Sequence, residues 1–177
     1  MFAKSLTMGN YEAWTENRCY GLRIPSKVVS KMLGLCRVVP DTETGGILVG
    51  YYNRSRDCAV VTECSGAPRD SRRGKNFFYR GVHGLQCWLS SLWNLGQRRY
   101  YLGEWHFHPF AKPDPSNTDL RQMRINAEDK SYHCPEVLMF IIGGDPNAEW
   151  TCRSFVYSRQ EGLIELGRSW ERNRVRA

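Results

Sequence analysis

Gly103-Glu104-Trp105-His106-Phe107-His108-Pro109 decides how the rest of the chain is read. Tyr100, Tyr101, Leu102 and Trp105 favour a strand, and alternate residues of a strand project to the same side. His106 and His108 therefore point together, and Glu104 shares their parity. Pro109, Pro113 and Pro115 then forbid regular structure for several residues. Ser116-Asn117-Thr118-Asp119 follows, a Ser-x-x-Asp pattern that caps a helix and sets Asp119 in its first turn. The turn between strand end and helix start can bring Asp119 beside both imidazoles. Two histidine nitrogens, one carboxylate oxygen and an open fourth position describe a catalytic zinc site with one ion per chain. Taken singly, these pieces are ordinary: buried, hydrogen-bonded histidines and a routine helix start. Together they gather two of the four histidines in the chain beside a third ligand, and the metal reading is preferred.

Outward from this centre, strands and helices interleave. Residues 20–24 read as a strand, and Pro25-Ser26 opens a helix through about Arg37 with Val28, Val29, Met32, Leu33 and Cys36 as its apolar stripe. Residues 45–52 form a largely apolar strand expected to be buried on both faces. Residues 53–57 turn into a second strand, 58–64. A basic loop at 66–75 and a short strand at 76–80 precede a helix over about 82–95, with Leu85, Trp88, Leu89 and Leu92 spaced for a core face. After the histidine strand and the capped helix, 116–128, strands at 137–142 and 150–157 close the sheet. The class is α/β (α+β), one twisted mixed sheet flanked by helices. The core domain is expected over 20–157, with an N-terminal extension, 1–19, and a C-terminal extension, 158–177; the first 17 or so residues and the last several are expected to be loosely held.

Composition narrows the class further. The chain has 177 residues, 41% of them hydrophobic and 24% charged, as in an ordinary soluble globular domain. No apolar stretch is long enough to cross a bilayer, and no secretory signal is visible, so a cytoplasmic location is expected. Seven cysteines without Cys-x-x-Cys spacing argue against a disulfide framework and for reduced thiols. His133-Cys134 reads as a surface loop rather than a second metal site. The net charge of +7 is partly clustered at Arg69, Arg72, Arg73 and Lys75, at Arg98 and Arg99, and at Arg168, Arg172, Arg174 and Arg176. No helix-turn-helix, zinc finger or ribonucleoprotein signature accompanies it, so specific nucleic-acid binding is not expected. An acidic protein partner suits the charge as well.

A zinc-assisted hydrolase also needs a proton acceptor outside the ligand set and a donor for the developing oxyanion. Spacing leaves two acceptors open. Glu104 lies on the histidine face, and Glu43, in Pro40-Asp41-Thr42-Glu43-Thr44-Gly45-Gly46, stands at the mouth of the apolar strand. Ser116 is the natural oxyanion donor, one helical turn before Asp119.

Glu43-Thr44-Gly45-Gly46-Ile47-Leu48-Val49-Gly50, His106-x-His108-Pro109, Ser116 and Asp119 together resemble the JAMM (MPN-plus, or JAB) zinc isopeptidases. The resemblance covers roughly 20–157. It implies a cytidine-deaminase-like sheet flanked by helices, with His106, His108 and Asp119 on zinc. It makes Glu43 the general base and Ser116 the group that stabilises the tetrahedral intermediate. A narrower likeness runs through Phe78-Tyr79-Arg80, His83, Leu85, Leu89, Trp93 and Tyr101-Leu102-Gly103-Glu104-Trp105-His106. These residues look like the stand-alone bacterial members found beside ubiquitin-transfer-like enzymes, a branch that includes the deconjugating peptidase of CD-NTase anti-phage (CBASS) operons. That similarity implies a protein substrate joined through a flexible C-terminal tail, either a ubiquitin-like protein or a CD-NTase conjugate.

Phe107 replaces the serine many members carry between the histidines, and its parity points it away from the metal. Only the basic stretch 69–75 and the stretch 130–135 stand where ubiquitin-chain enzymes carry larger insertions, so discrimination between chain linkages is not expected. The other readings are a non-catalytic scaffold of this fold, a RadC-like DNA-associated protein, and a deaminase. Scaffolds typically lack the ligands this chain keeps. RadC-like chains carry a different run after the histidine pair. The deaminase His-x-Glu and Pro-Cys-x-x-Cys are absent.

Overall fold

The computed structural model describes residues 9–94, 96, 98–130, 134 and 136–168. In chain order the elements are β1 (Tyr11–Trp14), β2 (Gly21–Ile24), α1 (Ser26–Val38), β3 (Thr44–Tyr52), β4 (Cys58–Cys64), β5 (Arg72–Gly74) and β6 (Phe77–Tyr79). They continue with α2 (Leu85–Trp93), β7 (Tyr100–Pro109), α3 (Asn117–Glu128), β8 (Glu136–Gly144), β9 (Trp150–Ser158) and β10 (Gly162–Arg168). Eight strands close into a ring in the order β1-β10-β9-β8-β7-β3-β4-β2, and β5 and β6 form a separate two-stranded ribbon. The sheet is mixed, with β2–β4 and β7–β8 parallel and the other pairs antiparallel. No helix among the described residues is long and apolar enough to cross a membrane.

The central strands alternate between two apolar layers. Leu48, Leu102, Trp105, Phe107, Leu138, Phe140 and Ile142 join the α1 stripe of Val28, Val29, Met32, Leu33 and Cys36 in one cluster. Ile47, Val49, Tyr101 and Val137 face α2 and the end of α3 in a second. Both faces of β3 are therefore covered, as its unbroken apolar run requires. Within β7, Leu102 and Trp105 are three apart yet share a face, which a regular strand forbids. The register explains it: Leu48 lies opposite Gly103, but Val49 lies opposite Tyr101. This bulge turns on Gly103, whose φ is 153° and where an added Cβ would come 2.0 Å from the Leu138 carbonyl oxygen. Any side chain there would push β7 off β8.

The structure departs from the sequence expectations at four points. The N-terminal segment expected to be loose contains β1, where Tyr11, Ala13 and Trp14 are buried and pair with β2 and β10. The basic loop contains β5, which pairs with β6. α2 begins at Leu85 rather than near 82, and only Leu92 of its apolar face is fully buried. His133 and the C-terminal arginines 172, 174 and 176 lie outside the described residues. Cys134 is buried at 5% exposure instead of lying on a surface loop.

Candidate metal centre

β7 delivers the two histidines. Phe107 between them is fully buried in the first apolar layer, so the strand period turns His106 and His108 to the opposite side. Parallel pairing with β8 on one flank and antiparallel pairing with β3 on the other fix that strand before any ligand is considered. α3 delivers the carboxylate. Ser116 is its N-cap, and a reciprocal capping box joins the Ser116 side chain to the Asp119 backbone and the Asp119 side chain to the Ser116 backbone. The Asp119 side chain is thereby aimed before it meets the imidazoles.

The three groups converge. His106 Nδ1 lies 2.7 Å from Asp119 Oδ1, and His108 Nε2 lies 3.5 Å from Asp119 Oδ2. One ligand atom from each residue falls within 4.8 Å of the others, and all three residues are buried. Ser116 Oγ donates to Asp119 Oδ2 at 2.6 Å, and the Ser116 N–H donates to the same oxygen at 2.8 Å. Burial opposes the charge on Asp119, but the hydrogen bonds from His106, His108 and Ser116 hold its carboxyl well below the usual range. Burial likewise works against a charged His106, yet Asp119 and then Glu104 push its pKa up to about 9. Two imidazole nitrogens and a carboxylate oxygen converging in a buried site form a donor set suited to a divalent cation. Metal binding must displace the His106 proton. Affinity for a divalent ion is therefore expected to rise about tenfold per pH unit as the pH climbs toward about 9 and to level off above. Calorimetric titration across that range checks this; an affinity independent of pH below 9 contradicts it.

Glu43 stands one residue before β3. Thr44 pairs with Phe107 and Gly45 with His106, so the antiparallel register carries Glu43 toward His108. Gly45 makes the close approach feasible, since a Cβ there would lie 2.3 Å from the Trp105 carbonyl oxygen and 2.7 Å from the Phe78 ring. The ribbon holds the same turn: the Glu43 N–H donates to the Gly74 carbonyl at 2.9 Å. Partial burial raises the Glu43 pKa; the His108 charge opposes this and Asp119 adds to it. Phe78 of β6 packs edge-on against His106 with 5.5 Å between ring centroids.

Glu104, the other acceptor left open by spacing, is not placed for that work. It is 2% exposed and ion-paired with Arg80 at 2.9 Å. The Asn126 side chain donates to it at 2.8 Å, and its remaining oxygen lies 3.3 Å from His106 Nε2. Burial alone would raise its pKa, but the His106 hydrogen bond and the Arg80 charge hold it below the usual carboxylate value. Asn126 is a further polar residue of this cluster, outside the candidates named from the sequence. Its signal was the spacing of seven from Asp119, two turns along one helix face.

Residues 25–156 match the family described as prokaryotic homologs of the JAB domain. The chain belongs to that family. It is 38% identical over 152 residues to the CD-NTase/cGAS isopeptidase of Enterobacter hormaechei subsp. hoffmannii (strain UCI 50), covering 86% of this chain and 83% of that protein. It is 28% identical over 148 residues to a probable metalloprotease of Sinorhizobium fredii (strain NBRC 101917 / NGR234), covering 78% of this chain and 90% of the relative. The solution structure of protein DSY2949 from Desulfitobacterium hafniense superposes with a TM-score of 0.58 at 23% identity, over 78% of this chain and 85% of that one, a likeness of fold. With these relatives and the His106–His108–Asp119 cluster, the chain is a metalloprotease-type hydrolase of the JAB family.

Proposed function

We propose that this chain is a zinc-dependent isopeptidase that cleaves the bond after the flexible C-terminal tail of a conjugated protein. The observation that carries the reading is the buried His106–His108–Asp119 cluster with a half-buried glutamate, Glu43, at the mouth of β3 where the antiparallel register runs toward His108. His106, His108 and Asp119 would hold the ion. Bound there, zinc would polarise water toward hydroxide and draw electron density from the scissile carbonyl. Glu43 would take the proton of the attacking water and deliver it to the departing amine nitrogen as the C–N bond breaks. Ser116, whose hydroxyl donates to Asp119 Oδ2 in the resting site, would turn that proton to the oxyanion of the tetrahedral intermediate.

The ribbon suits an extended substrate. The eight other strands are joined in a ring, so β5 and β6 are the only described strands outside it. A tail can lengthen such a ribbon by main-chain pairing while its carbonyl reaches the cluster beside Phe78. β6 leaves Phe77 and Tyr79 43% and 55% exposed, available to tail side chains. Phe110, two residues past His108, holds a strained φ of 56° with its ring 68% exposed, as a substrate-facing residue would. Replacing Phe77 and Tyr79 together by alanine is expected to raise KM about tenfold with kcat nearly unchanged, the worth of one modest aromatic burial. An equal fall in kcat at constant KM counts against tail binding there.

The relative named CD-NTase/cGAS isopeptidase supports a CD-NTase conjugate as substrate; a ubiquitin-like protein as substrate and a place in anti-phage defence are what the family resemblance implies. All seven cysteines are free, which suits a reducing cytoplasm. Incubating the zinc-loaded chain with candidate conjugates and reading the new C-terminus by mass spectrometry tests the whole proposal. Zinc-loaded protein that cleaves neither conjugates nor linear fusions of such tails would remove it.

A further inference from the structure

Glu104 is a buried carboxylate that the hydrolytic steps above do not use, and it touches the back of a proposed metal ligand. Its two oxygens divide their partners. Oε1 accepts from Arg80 Nε at 2.9 Å and from Asn126 Nδ2 at 2.8 Å, while Oε2 lies 3.3 Å from His106 Nε2. Asn126 is held in turn by Gln122 at 2.9 Å and also donates to the Tyr101 hydroxyl at 3.1 Å. Arg80 and Glu104 are 7% and 3% exposed at their side chains, so solvent cannot substitute for either partner.

A buried ion pair is weak evidence of added stability, because desolvation offsets most of the attraction. What this one does possess is direction. Arg80 and Asn126 supply only donors to Oε1, so Oε2 is left as an acceptor facing Nε2. A neutral imidazole carries one N–H, and whichever nitrogen donates it, the other is the ligand atom. His106 Nδ1 is the nitrogen on the Asp119 side.

We propose that Glu104, clamped by Arg80 and Asn126, is a positioning residue that keeps the proton of His106 on Nε2 and so presents Nδ1 to the metal. The inference rests on the zinc reading above. It goes beyond that reading by assigning the ligand atom and the residues that select it. α3 thus engages the histidine strand twice on one face, through Asp119 directly and through Asn126 by way of Glu104.

Glu104→Gln supplies the discriminating variant. With Arg80 and Asn126 both donating, the amide oxygen must turn toward them and the NH2 toward His106 Nε2. That geometry favours the tautomer with its proton on Nδ1, where the metal should bind. Zinc affinity of folded Glu104→Gln, measured by chelator competition, is expected to fall about 10–100-fold, the usual cost of losing an outer partner of a ligating histidine. Glu104→Asp, which keeps the acceptor but shortens its reach, is expected to recover part of the loss.

The wild-type protein gives a second test that does not depend on the fold of a variant. Long-range proton–nitrogen correlation of the zinc-loaded chain is expected to place the His106 proton on Nε2. A proton on Nδ1, or wild-type affinity in folded Glu104→Gln, overturns the inference while leaving the metal reading in place. If the wild-type chain binds no zinc, both fall together.

Discussion

Replacing Glu43 by glutamine is expected to leave zinc bound and to lower conjugate cleavage about 10²–10⁴-fold, the usual worth of a positioned general base. Glutamine keeps the volume of the side chain and cannot accept the proton of the attacking water. The backbone link from Glu43 N–H to the Gly74 carbonyl does not involve the side chain, so the strand mouth should hold its shape. Metal content by atomic emission and turnover on one preparation make the measurement. Retained turnover with retained metal would return the role of base to another carboxylate, and Glu104 is ill suited to take it. Its oxygens are committed to Arg80, Asn126 and His106, and it is sealed from solvent.

Asp119→Asn is expected to fail at the earlier step. The amide keeps the size of the carboxylate and retains an oxygen for the Ser116 N–H, so the start of α3 should survive with a cost of about 1 kcal/mol or less. It removes the only acidic group among the three clustered donors. The loss in zinc affinity should exceed the ~10–100-fold typical of an outer-partner change, and hydrolysis should fall with metal occupancy. Restored cleavage at high added zinc would show that Asp119 acts through the ion. Full affinity in the variant would dismiss Asp119 as a ligand.

The histidine strand was legible in the linear order because its evidence is local. A period of two places His106 and His108 together and Phe107 apart, and the structure has Phe107 in the apolar layer opposite them. The Ser116–Asp119 cap was legible for the same reason, since a capping box spans a single turn. What escaped depends on distant partners. β1 is four residues long and is held by β2 and by β10, where Ala13 meets Arg168. Arg72-Arg73-Gly74 has no strand-forming composition of its own and becomes β5 only by pairing with Phe77-Phe78-Tyr79. The choice between Glu43 and Glu104 stayed open in the residues alone because parity shows the face, not what covers it. Arg80 precedes Glu104 by 24 positions and Asn126 follows it by 22, separations that no local pattern can join.

Closure of the ring has a consequence for what counts as the smallest intact enzyme. The matched stretch, 25–156, omits β1, β2 and β10. A fragment trimmed to it would end its sheet at β9 on one side and β4 on the other, since their outer neighbours are β10 and β2. Both would then present bare rows of amide and carbonyl groups, the template on which chains stack edge to edge. The segments outside the recognisable stretch thus act as a seam. They contribute none of the residues assigned to chemistry here, yet they keep the sheet that carries those residues from adhering to its own copies.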